Sequence, residues 1–223
     1  MNYSAKFWNK IAEGYSRQPI ADEAAYQKKL QVTQEYFKPE MEVLEFGCPK
    51  GYRFAYGTGG TAIIHAPYVK HLRAIDFSSE MIKIAKAKAE AKNINNVTFE
   101  RLTIEELTVA DESFDVVLGL GILHLLENKK EVIAKVYKML KPGGVFITST
   151  ACLGDTMKWF KVIAPIGRFL RLIPLVKVFT SKELENILSD AGFTIDYHWQ
   201  PNQSTRKGVF TLKGVFIVAK KAN

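Results

Sequence analysis

The groups best suited to hold a charged ligand lie between Met41 and Gly60, MEVLEFGCPKGYRFAYGTGG, where the apolar run Val43, Leu44, Phe46 carries one acid, Glu45, and then opens into glycines. A buried parallel strand ending in a glycine turn leads to a helix whose N-terminal N–H groups point into the crevice beyond the strand. The stretch therefore reads as the start of a nucleotide-binding crevice, with glycines where side chains would block the ligand. Those glycines fall into two groups, Gly47 and then Gly57, Gly59 and Gly60, separated by PKGYRFAY. We read Pro49 to Tyr56, eight residues (56 − 49 + 1), as an insertion in the loop. A rival register, Glu45-Gly47-Pro49-Gly51, puts proline at the middle glycine and leaves the later glycines unused. A second acid offers a spacing check, because dinucleotide folds place a ribose-binding Asp or Glu about 20 residues downstream. Asp76 follows Glu45 by 31 positions (76 − 45), or 23 without the eight.

Asp76 closes the apolar segment HLRAID, and a carboxylate at a strand end can accept hydrogen bonds from both ribose hydroxyls. The plainer role for this region is helix capping, since Ser78 or Ser79 can open the helix that continues through Lys92. Phe77 and Met81 would then lie near a bound base. Ser113 to Leu120, SFDVVLGL, is a continuous apolar run of the kind found in parallel sheets covered on both faces. Its end, Gly119 to Gly121 with Leu120 between, should face the reacting group. His124 follows in GILHLL; it is a candidate general base or, as we favour, a positioned pocket or packing histidine.

The elements that must position these groups follow from periodicity. Residues 3 to 38 read as two helices, with Phe7, Trp8, Ile11, Ala12 and Tyr15 on one face and a second helix from about Ile20 to Phe37. Thr61 to Tyr68 reads as a short helix, Asn96 to Leu102 as a third strand, Glu131 to Leu140 as a helix stopped by LKPGG, and Val145 to Thr150 as a fifth strand. TSKE at Thr180 to Glu183 is a capping box opening a helix that stops at Gly192. Two strands close the chain, Thr194 to Gln200 and about Val209 to Lys220. The second holds a duplication, KGVF at 207 and 213, which puts Phe210, Leu212, Phe216 and Val218 on one face of a long edge hairpin.

With the eight residues set aside, the loop reads VLEFGCGTGGTAII, which closely resembles motif I of the class I S-adenosylmethionine (SAM) dependent methyltransferases. FDVV followed by LKPGGVFI, and the lead-in FWNKIAEGYSRQPI, resemble the small-molecule members of that family. The resemblance implies an α/β, Rossmann-like fold: a seven-stranded, mostly parallel sheet with helices on both faces and an antiparallel last strand. It implies SAM as cofactor, held by Glu45, Gly47, Gly57, Gly59, Asp76, Phe77, Met81, Gly119 and Leu120. The family often places Asp in the turn after the third strand; here Thr103 and Ile104 stand there, so adenine contact would be through backbone and the Ile104 surface. Tyr15 and Tyr26 are substrate-pocket candidates by the same resemblance, and aromatic packing is the plainer reading of both.

The chemistry expected is in-line methyl transfer to a small-molecule or lipid-like acceptor, driven by alignment of an already activated donor. The sequence has no Asn-Pro-Pro-Tyr type motif, no Pro-Cys pair and no cluster of metal ligands, so no metal is expected. GCGTGG also satisfies G-x-G-x-x-G, which makes a nicotinamide enzyme a formal rival. The other alternative is a methyltransferase fold whose cofactor site is impaired by the 49–56 insertion, acting as a binding or scaffold module at nucleic acid or a membrane surface. Nucleic acid is the disfavoured partner.

At 223 residues the chain suits a single domain, 1–223, with a helical lead-in over 1–38 and a small helical cap over 153–179. That cap mixes apolar and aromatic residues with Lys158, Lys161, Arg168, Arg171 and Lys177, so residues 157–179 suit either a lid over the substrate or an anionic membrane surface. Net charge is +8, and where the charge sits matters more than its sum. Two cysteines and no leader pattern predict a cytoplasmic protein, at most peripheral to a membrane.

Overall fold

The computed structural model describes residues 3–17, 20, 22–47, 58–155, 176–201 and 214–223, without the side chains of residues 3–5 and Tyr15. Two helices lead in: α1 (Tyr3–Ser16) and α2 (Glu23–Gln34). The Asp22 carboxylate starts α2 by accepting from the Ala25 amide at 3.0 Å, three residues after the start expected from periodicity. A repeating order of strand and helix follows: β1 (Glu42–Phe46), α3 (Gly60–His65), β2 (His71–Asp76), α4 (Ser79–Ala91), β3 (Val97–Arg101), β4 (Phe114–Leu120), α5 (Lys129–Met139) and β5 (Leu140–Ala151). The chain closes with α6 (Ser181–Asp190), β6 (Thr194–Trp199) and β7 (Gly214–Lys220). Thr180 and Glu183 form the reciprocal capping box that opens α6.

The strands form one seven-stranded sheet of order β3-β2-β1-β4-β5-β7-β6, in which β7 alone runs antiparallel to its neighbours. The order reverses between β1 and β4, the place where open α/β sheets bind ligands beyond their carboxyl ends. Each face of the sheet carries its own core. Leu44, Phe46, Val117 and Phe146 pack with α5 and α6 on one face; Val43, Leu118, Leu120 and Ile147 pack with α2, α3 and α4 on the other.

The LKPGG segment does more than stop a helix. α5 ends at Met139, and Leu140 already pairs with Phe114, so the prolyl-glycyl-glycyl stretch lies inside β5 where the register shifts between Phe114 and Val116. An irregularity of this kind absorbs the residues that cannot join a regular ladder. α1 docks on the start of α4: Trp8 and Ala12 enclose Met81, and Asn9 bonds both Ser78, at 2.6 Å, and Ser79, at 3.2 Å.

Parts of three expectations lie outside the described residues: the inserted Pro49 to Tyr56 together with Gly57, residues 156–175 of the cap, and the first KGVF copy with Phe210 and Leu212. What flanks the cap is ordered against the sheet. The Gly154 amide donates to the Phe179 carbonyl at 2.9 Å and the Lys177 amide to that of His124 at 2.7 Å. No helix among the described residues is long and apolar enough to cross a membrane.

Candidate functional site

Strand register puts four polar groups on one face of the sheet. Glu45 pairs in register with Ala74 and with Leu118, and Leu118 with Ile147, so these four side chains share a face. Asp76 and Ser149 lie two residues further toward the carboxyl ends of β2 and β5 and keep that face. Tyr26 and Lys29, buried on the inner side of α2, cover it.

Glu45 is 3% exposed. Its Oε1 accepts from the Thr61 hydroxyl at 2.7 Å, and Oε2 has no hydrogen-bond partner among the described residues. Burial pushes the carboxyl up to about 7, against which the Thr61 bond works. An acid placed so, at the end of β1, is ready to pair with a cation. Its negative charge also helps raise the neighbouring Tyr26 phenol to about 12, after the larger effect of burial. A narrow, mostly apolar cleft joins Glu45 to Asp76 and is walled by Gly59, Ile75, Met81, Ala85 and Phe99.

Asp76 is buried, and its Oδ1 accepts from the Ser78 amide at 2.6 Å. Ser78, not Asp76, caps α4, accepting from the Met81 amide at 3.2 Å. The capping and ligand-facing roles that compete in the sequence thus fall to different residues. Met81 lines the cleft from below while its other side meets α1, and Phe77 packs at the edge of the same contact.

The glycines have a nearer reason than ligand clearance. Gly47 has φ +73°, and a Cβ there would stand 2.5 Å from Ile122 Cγ1. Gly59, at φ +71°, ends the loop as the N-cap of α3, where a Cβ would fall 2.6 Å from Ala85 Cβ. A Cβ on Gly119 would meet the stacked rings of Phe46 and Phe146 at 2.9 and 3.0 Å. Close approach is required at all three, but by the protein's own side chains.

Thr103 is engaged locally: its amide donates to Glu106 Oε2 at 3.0 Å and its hydroxyl accepts from the Glu106 amide at 3.2 Å. Ile104 and Leu120 are buried, Ile104 in the core on the α5 side. His124 follows β4 in a short 3-10 turn, with Nδ1 3.0 Å from the Thr150 hydroxyl and Nε2 without a partner among the described residues. Burial drops its pKa to about 4, so the ring is neutral at pH 7. Thr150 points to the face opposite Ser149, so His124 lies across the sheet from Glu45 and Asp76.

Sequence reasoning passed over Lys29. The side chain is 6% exposed, its Nζ donates to Ser149 Oγ at 3.0 Å, and burial lowers its pKa to about 8 while Asp22 works the other way. The signal was present, since Tyr26, Lys29, Leu30 and Thr33 follow helical spacing and all are buried.

Residues 37–192 match the family described as "Methyltransferase domain". Among relatives, the uncharacterized methyltransferase YcgJ of Bacillus subtilis is 30% identical over 110 residues, 49% of this chain and 40% of that protein. The malonyl-[acyl-carrier protein] O-methyltransferase of Priestia megaterium is 26% identical over 195 residues, 85% of this chain and 65% of that one. The chain thus spans less than two thirds of the length of these relatives. Among solved structures, the N-methyltransferase NodS of Bradyrhizobium japonicum, in complex with S-adenosylhomocysteine, superposes with a TM-score of 0.68 at 18% identity, covering 93% of this chain and 90% of that one. With the family matched over most of its length and the sheet order, switch point and strand-end acids in place, this chain belongs to the methyltransferase domain family and has the class I methyltransferase fold.

Proposed function

We propose that the protein binds SAM at the carboxyl ends of β1, β2 and β4 and transfers its methyl group to a small-molecule or lipid-like acceptor. The observation that carries this reading is Glu45: a buried carboxylate with one oxygen unpartnered among the described residues, beside a cleft that leads to a second buried acid, Asp76. A ligand with a cationic amino group at one end and a ribose at the other satisfies both, and SAM is such a ligand. Glu45 Oε2 would take the ammonium and Asp76 the ribose hydroxyls, with Gly47, Gly57, Gly59, Phe77, Met81, Thr103, Ile104, Gly119 and Leu120 as further cofactor-contact candidates. The bound cofactor supplies a methyl carbon already activated on a sulfonium.

The protein's part is then alignment. Tyr26 and α2 roof the strand ends, and α1 fixes the start of α4 through Asn9, Ser78 and Trp8, so the crevice is shaped before the acceptor arrives. His124 is neutral at pH 7 and so able to take a proton, although a pKa near 4 makes it a weak base; we assign it to orienting the acceptor side together with Thr150. Tyr15, on α1, remains a pocket candidate. A small or lipid-like acceptor accords with the relative that methylates malonyl-[acyl-carrier protein].

The test is methyl-labelled SAM incubated with the protein and, separately, with small-molecule, lipid, protein and nucleic-acid fractions of cells. Label is expected in the small-molecule or lipid fraction and should disappear with Asp76→Ala. Label confined to protein or nucleic acid refutes the acceptor class.

A further inference from the structure

We propose that Lys29 holds the carboxylate of the same amino-acid end whose ammonium lies on Glu45, so that the two side chains read an α-amino acid as a zwitterion. The inference rests on the SAM reading and adds to it a residue from α2, outside the glycine loop.

Three observations lead there. Both groups lie on one face of the sheet, on either side of the β4 end where the strand order reverses. Lys29 is buried on α2 one turn after Tyr26, and Tyr26 is close enough to Glu45 to feel its charge. The lysine head is held at the rim by the Ser149 hydroxyl, which brings no formal charge to it; a carboxylate brings one.

The spacing suits an amino acid. Two strand intervals and two residues of rise put the Glu45 and Ser149 Cα atoms roughly 12 Å apart. Two charge-assisted hydrogen bonds of about 2.8 Å and an amino-to-carboxylate span of about 3 Å account for most of that, and the two side chains cover the rest. A lone anion would leave Glu45 Oε2 without a cation, and a lone cation would meet Lys29 with like charge. A ligand carrying both at this separation meets neither penalty.

The experiment compares SAM with decarboxylated SAM, which lacks only the carboxylate, by calorimetric titration into the wild-type protein and Lys29→Met. The wild type is expected to prefer SAM by roughly 10- to 100-fold, the range for a hydrogen bond between charged groups. In Lys29→Met the affinity for SAM should fall by that factor while that for decarboxylated SAM stays unchanged, and Lys29→Arg should restore part of the preference. Should Lys29→Met fail to fold, Lys29→Gln carries the same comparison. A wild type that binds both ligands equally, or a variant that loses both equally, overturns the assignment of Lys29 and leaves the SAM reading standing. A wild type that binds neither ligand overturns both.

Discussion

Replacing Glu45 by glutamine should raise the stability of the ligand-free protein at neutral and alkaline pH, although it removes a charged group from the proposed site. The folded carboxyl titrates near 7 and the unfolded one near its ordinary 4.5. Between those values the folded state keeps a proton that the unfolded state has released, so stability falls as pH rises from about 4.5 to about 7 and is level above. The shift of 2.5 units (7 − 4.5), at 1.36 kcal/mol each, puts the loss at about 3 kcal/mol. Glutamine keeps the shape and the oxygen that accepts from Thr61, but does not titrate. Urea unfolding of both proteins from pH 5 to 8.5 is the assay. The difference should be small near pH 5 and reach about 3 kcal/mol in favour of Glu45→Gln by pH 8. His65 and His124 titrate in both proteins and cancel. A difference that stays constant with pH would show that Glu45 is ionised at an ordinary pKa in the folded protein, which removes the physical basis for its pairing with a cation. The same proton governs binding: SAM affinity should weaken roughly tenfold for each pH unit below about 7, because the cation must displace it.

Further outcomes follow from the same geometry. Gly47→Ala should cost about 2 to 4 kcal/mol in urea unfolding, combining a left-handed φ with a clash against Ile122; Ile122→Ala should recover only the packing part. Asp76→Ala should lower SAM affinity by at least roughly tenfold in titration, and an unchanged affinity would take Asp76 out of the site. His65 and His124, both buried with pKa values lowered to about 4, favour the folded state fully above pH 6.5 and lose that contribution as pH falls toward 4. Replacing either by glutamine should therefore flatten the acid limb of the stability profile; an unchanged limb would mean that the ring gains a proton without opening the core. If residues 157–179 meet an anionic membrane, flotation with anionic liposomes should fall on neutralising Arg168 and Arg171, and a protein that never floats rules that contact out.

The sheet was legible because each parallel strand is an apolar run set off by glycine, proline or a capping serine. Asp76 was legible for a related reason: an acid closing such a run lies at a carboxyl end. The glycine loop gave the right place and a partial reason, because the side chains that crowd Gly47 and Gly59, Ile122 and Ala85, come from elements remote in sequence. LKPGG read as a stop, since the pairing of Leu140 with Phe114 is a tertiary fact that local propensity does not encode. Lys29 was missed because a lysine in QKKLQ reads as solvated; its burial depends on a roof that α2 forms only over the finished sheet.

The central claim is that this fold, with its interrupted loop, holds SAM. Calorimetric titration of SAM into the protein and into a version lacking Pro49 to Tyr56 tests it most directly. Saturable one-to-one binding by the intact protein is the predicted result, with affinity falling below about pH 7. Absence of binding by the intact protein contradicts the account. If the shortened form then binds, the insertion has closed the site; if neither binds, Glu45 and Asp76 serve some other ligand.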